Sequence, residues 1–233
     1  MGKRGKKYAQ SVESYERSEP QTLEDAVKIL KEMPVRKFDE TVELNFYLGI
    51  DGRQADQALR GTVMLPNGTG KEVRIVVITQ GELVAQAEEA GADHVGAADL
   101  IAKIEGGWLD FDLVISSPDM MGQVGKLGRV LGPRGLMPNP KTGTVTRDVG
   151  QAVTEARAGR VEYRADNKSG NNAQAPIGKL SFTEEALVEN AQALSNAILR
   201  AKPASTKGSF IRKLILSSTM GPGIRIDPGA LAA

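Results

Sequence analysis

The sequence predicts an α/β protein of two domains: a split α+β domain formed by both ends of the chain, and a Rossmann-like parallel-sheet domain inserted into it. Three observations carry this expectation. Runs of alternating apolar and polar residues occupy both ends. Between them two β-branched runs, Val73 to Thr79 and Asp112 to Ser116, alternate with helical segments, the pattern of strands buried on both faces. Turn-rich breaks at Leu65 to Lys71 (LPNGTGK) and at Ala158-Gly159 mark the two crossings. The expected domains are residues 1–69 with 160–233, and residues 70–159. A chain of 233 residues, 40% hydrophobic and 25% charged, has material for one large core or two modest ones.

The elements follow in order. Thr22-Leu23-Glu24-Asp25 has the spacing of a capping box, and Leu23, Ala26, Val27 and Leu30 recur at helical period before Pro34 stops the helix near Met33. Val42, Leu44, Phe46, Leu48 and Ile50 then alternate as in a half-buried strand, and residues 60–65 read as another. In the inserted part, the strand at 73–79 leads to helices at 82–90 and 97–105, a strand at 112–116, and helices at 120–131 and 149–158. Alternation returns in RVEYRAD (160–166) and IGKLSF (177–182). A helix from Thr183 to about Ala201 follows, with Ala186, Leu187, Asn190, Leu194 and Ile198 on one face. SFIRKLILSST (209–219) is the last long strand and IRI (224–226) a short one.

Composition excludes much chemistry. With no cysteine there is no disulfide and no thiolate metal site, and His94 is the one imidazole available as a ligand or base. The basic start, MGKRGKKYAQ, is not followed by the apolar region a secretory signal needs, and no stretch of about 18 apolar residues occurs, so the expected location is cytoplasmic, with no membrane partner.

The net charge of +1 hides a division. Residues 1–69 hold 11 basic and 11 acidic residues, 70–159 hold 9 and 12, and 160–233 hold 10 and 6. Arg200, Lys202, Lys207, Arg212, Lys213 and Arg225 lie in an acid-free stretch, as do Lys126, Arg129, Arg134, Lys141 and Arg147. Lys3, Arg4, Lys6 and Lys7 form a third cluster. One such run is an ordinary solvated face, but three together suit a polyanion whose phosphates they neutralise.

Candidate enzyme motifs fail on inspection. Gly122 to Leu127 (GQVGKL) lacks both ends of a phosphate-binding loop, since Met120 stands where its first glycine belongs and Leu127 where its Ser or Thr belongs. The first inserted strand runs into TQGELVAQA, with one glycine where a dinucleotide fingerprint needs three. Asp110 and Asp112 read as a turn before a strand, and neither GxSxG nor HExxH occurs. The glycines instead recur at 122, 125, 128, 132 and 135, stripping side chains from one stripe of a poor helix while Lys126 and Arg129 remain. Pro133, Pro138 and Pro140 then impose a loop. Such composition usually means a surface loop; its functional reading is a basic, backbone-exposed surface for nucleic acid or protein.

VGKLGRVLGPRGLMPNPKTGTV (Val124 to Val145) closely resembles the signature segment of the bacterial large-subunit ribosomal protein L-one family. The resemblance extends to KFDETVEL (Lys37 to Leu44), RGTVMLPNGTGK (Arg60 to Lys71), STMGPGIRI (Ser218 to Ile226) and the interrupted domain itself, so nearly the whole chain is covered. It implies a protein that binds large-subunit ribosomal RNA at the mobile side stalk. It further implies contact with exit-site transfer RNA, assistance in its release, and repression of its own operon through the messenger RNA. It implies no enzyme activity and no cofactor, and the free protein is expected to be a monomer. The alternative is a Rossmann-type nucleotide-binding enzyme, with its ligand in the inserted domain. The family's RNA contacts transfer to Lys37 and Phe38 before the first strand, and to Thr219, Met220 and Gly221 near the C-terminus. Glu40, which can accept from a ribose hydroxyl, and Arg164 and Lys168 complete the set. Asn167 to Gln174 is longer than the family's turn, so the last two transfers rest on a looser alignment. Aromatic residues are 4% of the chain, so the expected readout is RNA shape, phosphate and 2′-hydroxyl, without a stacking platform.

Overall fold

A computed structural model of the chain describes residues 5–17, 19–34, 36–51, 54, 57–166, 171–206 and 208–229. They form two compact units, Met1–Gly70 with Gly159–Ala233, and Lys71–Ala158. The first opens with α1 (Lys6–Glu13), α2 (Leu23–Glu32), β1 (Thr41–Leu48) and β2 (Arg60–Met64). The inserted unit follows with β3 (Ile75–Ile78), α3 (Leu83–Glu89), β4 (His94–Gly96), α4 (Ala98–Glu105), β5 (Leu113–Ser116), the single turns α5 (Met121–Val124) and α6 (Gly128–Leu131), and α7 (Val149–Arg157). The chain then returns as β6 (Arg160–Ala165), β7 (Asn172–Lys179), α8 (Glu184–Arg200), β8 (Ile211–Ser218) and β9 (Ile224–Ile226). The fold is thus the α/β arrangement expected, one mixed unit and one parallel-sheet unit.

The six strands of the first unit lie in the order β2-β6-β7-β1-β8-β9, and every pair within that sheet is antiparallel. Alternation decides its two faces. Val42, Leu44, Phe46 and Leu48 of β1 are buried together with Ala173, Ala175 and Ile177 of β7 and Leu214 and Leu216 of β8. Against them pack Leu23, Ala26, Val27 and Leu30 of α2 and Leu187, Ala191, Leu194 and Ile198 of α8, in one cluster. The two helices begin in the same way: the hydroxyls of Thr22 and Thr183 accept from the amides of Asp25 and Ala186, each at 3.2 Å. A polar pin holds the break after β2. Buried Asn190 on α8 donates to the carbonyls of Gly68 (3.0 Å) and Ile177 (2.7 Å) and accepts from the Asn67 amide (3.0 Å), so its side-chain groups are satisfied.

The second unit has a parallel sheet in the order β4-β3-β5, extended by a parallel bridge from Ser116 to Val145. All four residues of β3 are buried because both faces are covered. Val76 and Ile78 face a cluster with Leu100, Ile104, Val124, Leu127 and Leu131, while Ile75 and Val77 face Ala87, Val149 and Val153. Among the described residues no helix is long and apolar enough to cross a membrane.

Four details depart from the sequence reading. The helix expected over 120–131 is broken into single turns separated by a 3₁₀ turn at Gly125–Leu127. Glycines at 122, 125 and 128 supply too little helical preference, while Met120, Val124, Leu127 and Leu131 still anchor one side. β7 begins at Asn172, inside the polar stretch, because alanines 173 and 175 carry the buried half of the alternation. The short edge strand β4 and the helix α1 were not foreseen. His94 lies in β4, where its ring meets Trp108 edge-on at 4.8 Å, with no catalytic partner among the described residues.

Candidate nucleic-acid interface

β1 and β8 are antiparallel neighbours, with Val42 opposite Ser218. The residues before β1 and those after β8 therefore meet at one end of the sheet. The junction is a set of short-range hydrogen bonds. The Thr219 amide donates to the Thr41 carbonyl at 3.1 Å, and the Thr41 amide donates to the Thr219 hydroxyl at 3.1 Å, so a side chain continues the ladder for one rung. Gly221 closes the turn by donating to the carbonyl of Ser218 at 3.2 Å and to its hydroxyl at 3.1 Å. A Cβ on Gly221 would stand 2.5 Å from that hydroxyl oxygen, so a larger residue must push the Ser218 side chain out of its hydrogen bonds.

Glu40, expected among the RNA contacts, sits beneath this turn. It is 3% exposed, and its Oε2 accepts from the Ser218 hydroxyl at 2.7 Å and from the Met220 amide at 2.9 Å. Its Oε1 faces Arg36 Nε at 3.7 Å, an ion pair. The carboxylate therefore ties together two segments 178 and more residues apart. Asp39 does the same on the other side, accepting from the Ser181 amide (3.1 Å) and hydroxyl (2.7 Å), and Lys179 reaches the Thr41 hydroxyl at 2.8 Å.

What this scaffold presents is apolar. Phe38 is 52% and Met220 53% exposed, and Lys37 is exposed beside Phe38. Two large apolar side chains thus face solvent at a turn whose polar groups are spent internally. The structure thus brings Lys37, Phe38, Glu40, Thr219, Met220 and Gly221 to one end of the sheet. Arg164 is not with them: on β6 it pairs with Gln174 of β7, itself opposite Asn45 of β1, four residues along from Thr41. Lys168 lies outside the described residues.

Sequence reasoning missed the supports Arg36, Lys179, Ser181 and Ser218, and a groove beside Met220. That groove encloses about 520 Å³ and is lined by Gly5, Lys6, Lys7 and Tyr8 of the α1 end, by Arg36, and by Met220. Its signal in the sequence was the basic cluster near the start; that it joins Met220 could not be read from spacing.

The inserted unit offers a different surface. Lys126, Arg129, Arg134, Lys141 and Arg147 are all exposed. A Cβ added at Gly122, Gly125, Gly128 or Gly135 would meet nothing within 4 Å, so bare backbone faces outward between the cations. The loop beyond is nonetheless fixed: the Asn139 side chain accepts from the Lys141 amide at 2.8 Å, and the Thr142 hydroxyl donates to the Asn139 carbonyl at 3.0 Å. Elsewhere on this unit Asp112 binds Lys71 Nζ at 2.7 Å and Arg74 Nε at 3.1 Å, and Arg74 also pairs with Asp110. The Lys71 hydrogen bond first, and then that of Arg74, hold the Asp112 carboxyl down to about 2. Asp110 and Asp112 are thus tied to cations in a structural network, not poised as an acid/base couple. The family model described as the Ribosomal protein L1p/L10e family matches residues 30–222.

Proposed function

The chain belongs to the Ribosomal protein L1p/L10e family, and from that premise we propose that the split unit grips the RNA of the large subunit's mobile side stalk through Lys37, Phe38 and the Thr219–Gly221 turn. The family makes the protein a structural component of the large ribosomal subunit that binds its ribosomal RNA, and the family is not one of enzymes. The observation that carries the finer assignment is the turn itself, rigid beneath and apolar above. Met220 and Phe38 press on ribose or base edges of a folded RNA, and Lys37 meets phosphate. Glu40 acts by positioning the turn, since its acceptor oxygens face protein donors. Arg164 and Lys168 extend the contact as outlying cations.

The glycine-bare, cationic face of the inserted unit is the surface that contacts transfer RNA at the exit site and assists its release. Exposed backbone permits close approach, and five cations supply attraction without base selection. Repression of the protein's own operon follows if its messenger RNA presents the same fold to the same turn. These readings are tested by titrating large-subunit ribosomal RNA at several salt concentrations. Neutralising about 4 to 6 phosphates gives a slope of log affinity against log salt of about −3 to −5. A leader transcript of the operon should compete for the same site; a transcript that binds without competing would contradict the shared surface, and a flat salt dependence would contradict the RNA assignment.

A further inference from the structure

We infer that the open face of the six-stranded sheet is a second RNA-contact surface, lying across the minor groove of a helical segment of the bound ribosomal RNA. Arg164 and Arg225 meet phosphates of its two strands, and Gln174 and Asn45 meet 2′-hydroxyls between them. The inference rests on the RNA-binding reading above and goes beyond it in making Arg164 one end of a row of side chains that spans the sheet.

Register assembles the row. Arg60 pairs with Arg164, Arg164 with Gln174, Gln174 with Asn45, Asn45 with Ile215, and Ile215 with Arg225, so one line of side chains crosses every strand from β2 to β9. Paired residues point to the same side of a sheet, and this side is turned away from α2 and α8, which cover the alternate positions such as Leu44, Ala175 and Leu214. Arg164 and Arg225 are four strand spacings apart, about 19 Å, and both are exposed. Neither is ion-paired among the described residues.

Charge and chemistry select the occupant. The row holds three arginines and no acid. Of the two acids at outward positions of the strands, Glu162 is taken by Arg60 at 2.7 Å, and Glu43 stands two residues along β1 from Asn45. Between Arg164 and Arg225 lie amides. Gln174 is exposed, and Asn45, which donates to the Ser217 hydroxyl at 3.0 Å, keeps its side-chain oxygen as an acceptor. Such amides match ribose 2′-hydroxyls, which both donate and accept, and the wide, shallow minor groove of an RNA helix admits a flat surface. A single strand fits less well, because stacking needs open rings and the aromatic residue at an outward position, Tyr47, has Lys213 Nζ 6.0 Å over its ring. A protein partner would need a central apolar anchor. Ile215 within the row is half-buried, and exposed Met64 stands on the edge strand β2, four residues from the row.

The test uses the full chain and deproteinised large-subunit ribosomal RNA, with titration at several salt concentrations and backbone-cleavage footprinting. Arg164→Gln with Arg225→Gln should make the salt slope shallower by about 1 to 2. It should also expose both strands of one RNA helix to cleavage while protection elsewhere persists. Gln174→Ala removes no charge and should weaken binding about two- to tenfold with the slope unchanged. All three positions are exposed, so urea midpoints should match that of the original protein. A double variant with slope and footprint unchanged makes this a solvated face and overturns the inference. Protection confined to unpaired nucleotides, or a Gln174→Ala chain that binds as the original does, overturns it too, while the RNA-binding reading stands on the original chain. An original chain that protects no RNA overturns that reading, and this inference with it.

Discussion

The glycine of the β1/β8 turn and the glycines of the inserted unit's cationic face are built on opposite principles. At the β1/β8 end, a Cβ on Gly221 would meet the Ser218 hydroxyl, and the turn's amides and hydroxyls are tied to one another, to Thr41 or to Glu40. In the inserted unit, Gly122, Gly125 and Gly128 have open space above them. The first glycine is there for the fold of the turn, the others for what the absence of a side chain leaves exposed. A preorganised turn loses little freedom on binding and can select a shape, whereas bare backbone among exposed cations attracts polyanions broadly.

The largest effects should come from undoing the preorganisation. Glu40→Ala leaves the Met220 amide and the Ser218 hydroxyl, both only partly buried, without their acceptor, a cost of about 1 kcal/mol each. Ribosomal RNA affinity should fall by about 2 kcal/mol or more and urea unfolding should shift by a similar amount. Gly221→Ala should also weaken RNA binding, through the clash alone. If both variants bind as the original does, the turn is not the recognition surface.

Substitution at the open glycines should act in the other direction. Gly125 has helical backbone angles, φ −55° and ψ −31°, and open space above it. Gly125→Ala should therefore stabilise the protein by about 0.4 to 1 kcal/mol, read from the denaturant midpoint, with stalk RNA affinity unchanged. Transfer RNA binding should weaken if close approach to the backbone matters. Destabilisation by Gly125→Ala would remove the distinction between the two kinds of glycine.

The smallest effect concerns acid. Asp112 is held at about 2, below the ordinary carboxylate value, so its contribution to stability is fully present above about pH 4 and is lost as pH falls toward 2. Its partners are largely exposed, which limits the effect to about 1 kcal/mol or less. Asp112→Asn should lower the unfolding midpoint at pH 7 and lose that difference near pH 2. A difference that persists at pH 2 would point to packing, not to ionisation.

Much of the fold was legible because periodicity is a local property. The alternation from Val42 to Leu48 and the β-branched run around Ile75 to Ile78 each announce an element without reference to the rest of the chain. The start of β7 was not legible, because Ala173 and Ala175 are too small to stand out against Asn172 and Gln174. For the site, the family motifs pointed to Lys37, Phe38 and Met220. The burial of Glu40 was hidden, because it depends on two segments 178 residues apart closing over one carboxylate. Tyr8 was hidden for the same reason: only the docked helix brings it to the groove that Met220 also lines.

Met220→Ala tests the central claim most directly, measured twice on one variant by denaturant unfolding and by ribosomal RNA titration. With its side chain exposed at a strand end, truncation should change stability by less than about 1 kcal/mol, against the 2 to 5 expected for a core methionine. RNA affinity should fall by at least about 1 kcal/mol, with the salt slope unchanged because no charge is removed. Large destabilisation with binding intact would contradict the account and make Met220 a structural residue.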